Sequence, residues 1–435
     1  MRNEAYLSLI LATQMESVLH YVHCSKERFM DLVSFYQNVL CLPDPWYVER
    51  VEYYPKVKRV DVWIKRRESR FHCPKCMAEY AVHDHLPERM WRHLDTCGYQ
   101  TILHARLPCV KCELDGKLTA WVPFATPQTS LTEEMECRCI RTLQECTMQG
   151  AESLTGVSMR KLDRIHLLAV ERGLGRRDEK PLSRIGIDEK QVFARHRYFT
   201  VICDQKAKSV YDVIDSRKTE QVSPWFEDHK AILRDVETAA MDMSVGYASV
   251  IGGSLPNAAV CFDKFHVIQI INKAVDATRK EEQKRLPDVQ RKLMFGSRYC
   301  FLYAQENLPE KYKNKFKEVA ALAKKTSRAW AIKEALRDTL SLALPDFEPA
   351  FKKWYWWATL SRQEAIRKAA KTLKSHLYDI INAVEYGVTN ALAEGLNSKI
   401  EAIKRAACGY RSKSCYRIAI LFHCGKSDIT VEPMA

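Results

Sequence analysis

A change of period near residue 183 constrains this chain more than any other feature. Three short segments follow it, 184–189, 197–203 and Ser209–Ile214, each β-branched or aromatic and bounded by polar residues. Consecutive strands of one sheet read this way. A helix is predicted next at 219–228, then a strand at 236–241, a short helix at 246–252 and a strand at 258–262. The order β-β-β-α-β-α-β predicts an α/β domain built on a mixed sheet. Asp188 lies in the first strand, just after apolar Ile185 and Ile187. An unpaired charge in a strand built for burial is costly and needs a cation or a donor beside it.

The fourth strand ends at Asp242. Where the first and fourth strands are neighbours, Asp188 and Asp242 face each other. Two carboxylates that close repel and raise one another's pKa unless cations lie between them. Hard oxygen ligands suit Mg²⁺ or Mn²⁺. Two such ions clamp the attacking and leaving oxygens of an in-line phosphoryl displacement. Far downstream, residues 389–407 predict an amphipathic helix. Leu392, Leu396, Ile400, Ile403 and Ala407 share one face, and Asn390, Glu394, Asn397, Glu401 and Lys404 the other. Glu394 stands either on a solvated face or in a site at the sheet edge.

Ahead of the sheet, C-P-K-C (Cys73, Cys76) and C-V-K-C (Cys109, Cys112) are separated by 32 residues of β-rich sequence. Two such pairs place four thiolates around one structural Zn²⁺ in a zinc ribbon. Cys97, His83, His85, His93 and His104 lie within or beside the spacer, so one ligand is exchangeable, and a redox thiol pair is the alternative chemistry. Residues 126–172 read as three helices. Thr132 caps the first, and L-T-G-V-S turns before Ser158 into the third. Arg160, Lys161, Arg164 and His166 follow there, opposite Leu162, Ile165, Leu168 and Ala169. This is either a helix-turn-helix that docks in the major groove or an ordinary three-helix packing unit. The Gly- and Arg-bearing residues 173–182 read as a linker.

The chain has 435 residues and a net charge of +14, with 68 Lys and Arg against 54 Asp and Glu. That excess favours a polyanionic partner, nucleic acid ahead of a membrane surface. No run of 18 apolar residues marks a membrane span, and the N-terminus lacks the form of a signal peptide. With 16 cysteines, mostly scattered, the expectation is a soluble protein of the reducing cytoplasm.

These motifs, together with I-G-I-D-E, A-M-D-M-S, D-K-F-H-V-I-Q and T-N-A-L-A-E-G-L-N-S-K-I through K-R-A-A-C-G-Y-R, resemble the DDE transposases of bacterial insertion sequences, specifically the ISL-three family. The resemblance runs over most of residues 60–425. It implies a ribonuclease H-like catalytic core with a helical insertion, preceded by a zinc ribbon and a helix-turn-helix domain. By resemblance Asp188, Asp242 and Glu394 form the metal-binding triad for two Mg²⁺ or Mn²⁺ ions. It further implies binding to terminal inverted repeats, DNA cleavage and strand transfer, a homodimer or larger assembly on DNA, no membrane role, and a bacterial, nucleoid-associated location. Glu401 departs from the family's pattern by standing where a basic residue is expected. A nuclease or resolvase without strand transfer, and a domesticated DNA-binding regulator, are the alternatives.

The expected segments are an extension (1–60), the zinc ribbon (61–125), the helix-turn-helix domain (126–178), the first part of the core (179–278), the helical insertion (279–385) and the last catalytic helix (386–435). His266, one turn after Asp263, either contacts the scissile phosphate or forms a structural pair with Asp263. Asn397 is a supporting residue one turn beyond Glu394. Lys404, Arg405 and Arg411 are placed to meet DNA phosphate, with surface solvation as the alternative. In the insertion, K-K-W-Y-W-W (residues 352–357) offers aromatics either for stacking on bases or for the core.

Overall fold

Alternating and apolar segments after residue 45 become two separate sheets in the computed structural model. It describes residues 31–431 apart from 121, 127–128, 178–179, 194–196, 244 and 389–390. The chain divides into two units: residues 1–142 with 154–157 and 430–435, and residues 143–153 with 158–429. The first 30 residues of the expected extension (1–60) lie outside the described residues, and α1 (Leu32–Val39) opens the described part of the first unit.

That unit holds β1 (Trp46–Tyr54), β2 (Arg59–Arg66), β3 (Arg70–His72), β4 (Glu79–Arg92), β5 (Gln100–Cys112) and β6 (Gly116–Thr119). The strand order is β1-β2-β5-β4-β3, with β6 paired to the far end of β5. The expected boundary at residue 60 falls inside the β1–β2 hairpin, because β2 runs parallel to β5 from Arg59–Gln100 to Trp63–His104. The physical reason is burial. Trp46, Val48, Val62 and Ile64 of the hairpin share one core with Trp91, Leu103 and Phe124, and a lone hairpin could not bury that face. Helix α2 (Glu133–Glu145) begins as its sequence predicts: the Met135 N–H donates to Thr132 Oγ1 at 3.4 Å, and Glu133, Glu134 and Glu136 fill the first turn. Then come α3 (Met148–Thr155) and α4 (Met159–Gly175), with Gly156 of the intervening turn at φ +66°.

The second unit contains β7 (Arg184–Phe193), β8 (Arg197–Asp204), β9 (Ser209–Ile214), α5 (Thr219–Asp228), α6 (Lys230–Leu233), β10 (Thr238–Met241), α7 (Val245–Ser254), β11 (Ala259–Phe262) and α8 (Lys264–Arg285). Its sheet has the order β11-β10-β7-β8-β9. The β7–β8–β9 meander is antiparallel, whereas β7, β10 and β11 run parallel. This mixed sheet, with its helices, fits a ribonuclease H-like core. The insertion supplies α9 (Asp288–Met294), α10 (Arg298–Leu302), α11 (Glu310–Leu322), α12 (Lys324–Ser341), α13 (Leu344–Thr359), α14 (Glu364–Ser375) and α15 (Leu377–Glu385). Two helices close the unit, α16 (Ala391–Ala406) and α17 (Lys413–Cys424).

The insertion is no separate body. One apolar cluster runs from Ile185, Ile187, Met241 and Phe262 of the strands, through Val267 and Ile271 of α8, to Leu336, Phe351, Trp354 and Ile366. On α15, the Asn382 amide donates to the Val260 carbonyl of β11 at 2.9 Å. Lys333 is fully buried in α12, yet its ammonium donates to the carbonyls of Phe301 (3.0 Å) and Tyr303 (2.7 Å) and pairs with Glu334 at 2.6 Å. A buried cation is tolerable only with such partners. Helix α4 likewise packs within the second unit, against α17, where His166 meets the Phe422 ring edge-on at 4.3 Å. The segment 126–178 is therefore not a unit of its own. Among the described residues, no helix is long and apolar enough to cross a membrane.

Phe226 of α5 is fully buried in the sheet's core. Phe226→Ala is expected to lower the unfolding free energy of the second unit by about 3–5 kcal/mol, measured by urea unfolding followed by circular dichroism. A loss below about 1 kcal/mol would mean that α5 does not anchor the sheet.

Candidate active site

Parallel pairing sets the geometry. Met241 of β10 lies opposite Ile187 of β7, so the next residue of each chain segment, Asp242 and Asp188, sits side by side at one sheet edge. Asp188 is half-buried. Its Oδ1 accepts the Glu189 N–H at 2.8 Å, and its Oδ2 accepts the Asn397 amide of α16 at 2.6 Å. Burial pushes the Asp188 carboxyl above its ordinary pKa, and Asp242 adds to that; the Glu189 N–H, His266 and the Asn397 amide oppose it. Asp242 Oδ1 accepts the Met243 N–H at 2.6 Å. His266 stands between two carboxylates, with Nε2 3.5 Å from Asp242 Oδ1 and Nδ1 3.6 Å from Asp263 Oδ2. Its pKa lies above the usual histidine value, chiefly because of Asp263, against the lowering effect of burial. Asp263, buried at the end of β11, thus supports His266, which in turn reaches Asp242.

Glu394 is exposed in the first turn of α16 and does not join Asp188 and Asp242 in a closed cluster. It lies three residues before Asn397, on the neighbouring position of the same helix face. The buried stripe of α16 is Ala393, Leu396 and Ile400. Asn390, expected on the polar stripe, lies outside the described residues. Glu401 has a partner that sequence reasoning did not foresee. It pairs with Lys190 of β7 at 3.1 Å, which holds its carboxyl below the ordinary range. It neutralises a strand lysine. Glu189 was also missed. It is half-buried next to Asp188, its pKa raised mainly by burial, with the Arg217 guanidinium 4.0 Å away. The D-E-K run was the signal available for both. Hard carboxylate oxygens crowd the edge at Asp188 and Asp242, a donor set that suits Mg²⁺ or Mn²⁺.

The basic residues divide by exposure. Arg160, Lys161 and Arg164 of α4 are exposed. His166 is a correction to the basic face. It is buried against Phe422, and burial brings its pKa down to about 4, so it is neutral at physiological pH. Arg405 and Arg411 are exposed and Lys404 is half-buried. In K-K-W-Y-W-W, Trp354 is core, its indole N–H donating to the Ile332 carbonyl at 2.9 Å, whereas Trp356 and Trp357 are exposed.

In the first unit, Cys73, Cys76 and Cys112 converge, and Cys76 Sγ and Cys112 Sγ are 3.6 Å apart. Burial disfavours the Cys112 thiolate. The Tyr80 hydroxyl and the N–H groups of Asp115 and Leu114 outweigh that and bring its pKa down to about 7. Three thiolates fit a zinc site. The expected fourth, Cys109, is not brought to them; Asp115 is. The alternative ligands are engaged or apart. His93 Nδ1 is 2.9 Å from Thr132 Oγ1, and His104 lies between Glu88 (2.9 Å) and Asp61 (3.1 Å). His83, His85 and Cys97 are exposed outside the cluster.

Comparison with known proteins finds family matches in both parts of the chain. A profile for the zinc-finger of transposases IS204/IS1001/IS1096/IS1165 matches residues 69–113. The transposase for insertion sequence element IS1001 of Bordetella parapertussis is 25% identical over 386 residues, covering 86% of this chain and 94% of its own length. The transposase for IS1557 of Mycobacterium tuberculosis (strain CDC 1551 / Oshkosh) is 25% identical over 353 residues, covering 74% and 79%. The ISL3 DDE profile, described as Transposase, matches residues 185–420, from β7 into α17 and over half of the chain; the chain belongs to the ISL3 family of DDE transposases.

Proposed function

We propose that this transposase cleaves the ends of an insertion sequence and joins them to target DNA through Asp188, Asp242 and Glu394, with two Mg²⁺ or Mn²⁺ ions. The observation that carries the reading is that the parallel β10–β7 pairing brings Asp242, just past the end of β10, beside Asp188 within β7, with Asn397 tying α16 to Asp188. Asp188, Asp242 and Glu394 would hold the divalent cations, which would supply charge neutralisation for an in-line phosphoryl displacement. The protein's own part is positioning. Both oxygens of Asp188 are oriented in advance, one by a backbone N–H and one by an amide. Asn397 anchors α16 beside Asp188, and Glu394, one turn earlier on the same helix face, would reach the metal ions from there. His266 orients Asp242 and stands ready to donate to a scissile phosphate.

The zinc ribbon and α3–α4 bind the terminal inverted repeats, with exposed Arg160, Lys161 and Arg164 on DNA. Lys404, Arg405 and Arg411 meet phosphates near the cut, and exposed Trp356 or Trp357 stacks on a base there. Joining both ends in one complex calls for a homodimer or larger assembly on DNA. The protein acts on bacterial DNA in the cytoplasm, at the nucleoid.

Incubation with labelled end DNA, a supercoiled target and Mg²⁺ tests the reading. Joined products are expected. Cleavage without joining would mean a nuclease, and binding without either would mean a regulator. Asp188→Asn and Glu394→Gln are each expected to lower cleavage and joining by about 10³-fold, equivalent to several kcal/mol of transition-state stabilisation. Full activity of either variant would remove it from the triad. Asn397→Ala is expected to cost about 10–100-fold, partly recovered at high Mg²⁺, as loss of a ligand's supporting hydrogen bond does. An Mg²⁺ titration unchanged from wild type would end the positioning role. End-DNA binding by the Arg160→Ala/Lys161→Ala/Arg164→Ala variant should show a salt slope shallower by about one per lost phosphate contact. An unchanged slope would take α4 off the DNA.

A further inference from the structure

The second cysteine pair of the ribbon has a geometry that no Cys-x-x-Cys ligand pair can use. Cys109 and Cys112 both belong to the regular hairpin ladder, Cys109 opposite Thr119 and Cys112 opposite Gly116, with every residue between them paired in order. Residues three apart on an extended strand project to opposite faces. The two thiols therefore cannot close on one ion while that ladder holds.

What does close is a knuckle one step further along. In the first knuckle, Cys73 and Cys76 are three apart, and Met77 follows at φ +59° with its N–H donating to the Cys73 carbonyl at 3.0 Å. In the second, Cys112 and Asp115 are three apart, and Gly116 follows at φ +77°. Both turns end in a left-handed residue directly after the second ligand position. The N–H groups of Leu114 and Asp115 point at Cys112 Sγ, and Asp115 Oδ2 lies 3.7 Å from it. One ligand atom each from Cys73, Cys76, Cys112 and Asp115 lies within 4.8 Å of all the others. Two thiolates on one tetrahedral zinc stand about 3.7 Å apart for Zn–S bonds of about 2.3 Å. The Cys76–Cys112 separation is 3.6 Å. Lys75, inside the first knuckle, reaches Asp115 Oδ1 at 3.2 Å and offsets part of the negative charge of the four ligands.

We propose that the ribbon's metal is held by three thiolates and one carboxylate, Cys73, Cys76, Cys112 and Asp115, and that Cys109 is a buried strand thiol outside the shell. A carboxylate oxygen is an ordinary zinc ligand, and four protein ligands leave the site closed and structural. The proposal rests on the ribbon binding zinc at all, which the metal content of the wild-type protein tests separately: about one ion per chain is expected.

Full-length protein loaded with Co²⁺ in place of Zn²⁺ provides the test, because the sulfur-to-cobalt charge-transfer intensity scales with the number of thiolate ligands. Wild type is expected to show three-thiolate intensity, and Cys109→Ser to keep both the metal and the spectrum. Asp115→Cys is expected to gain intensity by about one third, the step from three thiolates to four. Asp115→Ala should lose metal to a chelator faster than wild type. The proposal is overturned if wild type already shows four-thiolate intensity, if Cys109→Ser loses a quarter of it, or if Asp115→Cys leaves it unchanged. Should Cys109→Ser fail to fold, the wild-type intensity and the Asp115→Cys gain still decide.

Discussion

Two carboxylates held side by side, Asp188 within β7 and Asp242 just past the end of the parallel strand β10, set the terms for the rest of the catalytic unit. At such separations like charges oppose one another, and partial burial of Asp188 adds a desolvation cost. The fold answers from three directions. The Glu189 N–H comes from β7 itself, the Asn397 amide from α16, and the His266 imidazole from α8, where buried Asp263 supports it. The Glu189 N–H is local, whereas the Asn397 amide and the His266 imidazole meet at one place because the β11-β10-β7-β8-β9 order sets the first and fourth strands of the unit together. The polar cost at the edge is met by apolar burial behind it, where Ile185, Ile187, Ala239 and Met241 are almost wholly enclosed.

Much of this was legible in the amino-acid sequence. Short β-branched segments separated by polar residues located β7 to β11 to within a few residues, and strand order alone made Asp242 a partner for Asp188. Glu394 was a different case. An exposed carboxylate on an amphipathic helix looks the same whether it serves a site or water, so it came from the family motif. What stayed hidden depended on contacts between residues far apart. The Asn397–Asp188 bond joins positions 209 apart, and the Glu401–Lys190 pair joins two residues that look like surface charges in isolation. His166 was misread by residue type. It lies four residues after buried Leu162 and next to buried Ile165, so helical spacing alone puts it on the apolar side.

The ribbon shows the same limit in another form. The Cys-x-x-Cys spacing at 109 and 112 is the usual sign of a knuckle, and β-rich composition around it was read correctly. Whether a stretch turns or continues as a strand is settled by its pairing partner. Here β6 follows after only three residues and extends the ladder through Cys109. Likewise the expected boundary at residue 60 cut the β1–β2 hairpin because nothing local announced the parallel pairing of β2 to β5 across the intervening chain. Propensity found the strands, and long-range register assigned their roles.

The apolar cluster common to the sheet and the inserted helices has a consequence for the gene. Asp242 and Glu394 are separated by a long coding segment whose helices, through Leu336, Phe351, Trp354 and Ile366, complete the core behind β7 and β10. An element under pressure to stay short cannot discard that segment, since deletion would uncover the sheet. Nor can it exchange the segment freely with a relative's, because close-packed faces accept only matched partners. The helices between Asp242 and Glu394 and the sheet they cover thus form a single packing block.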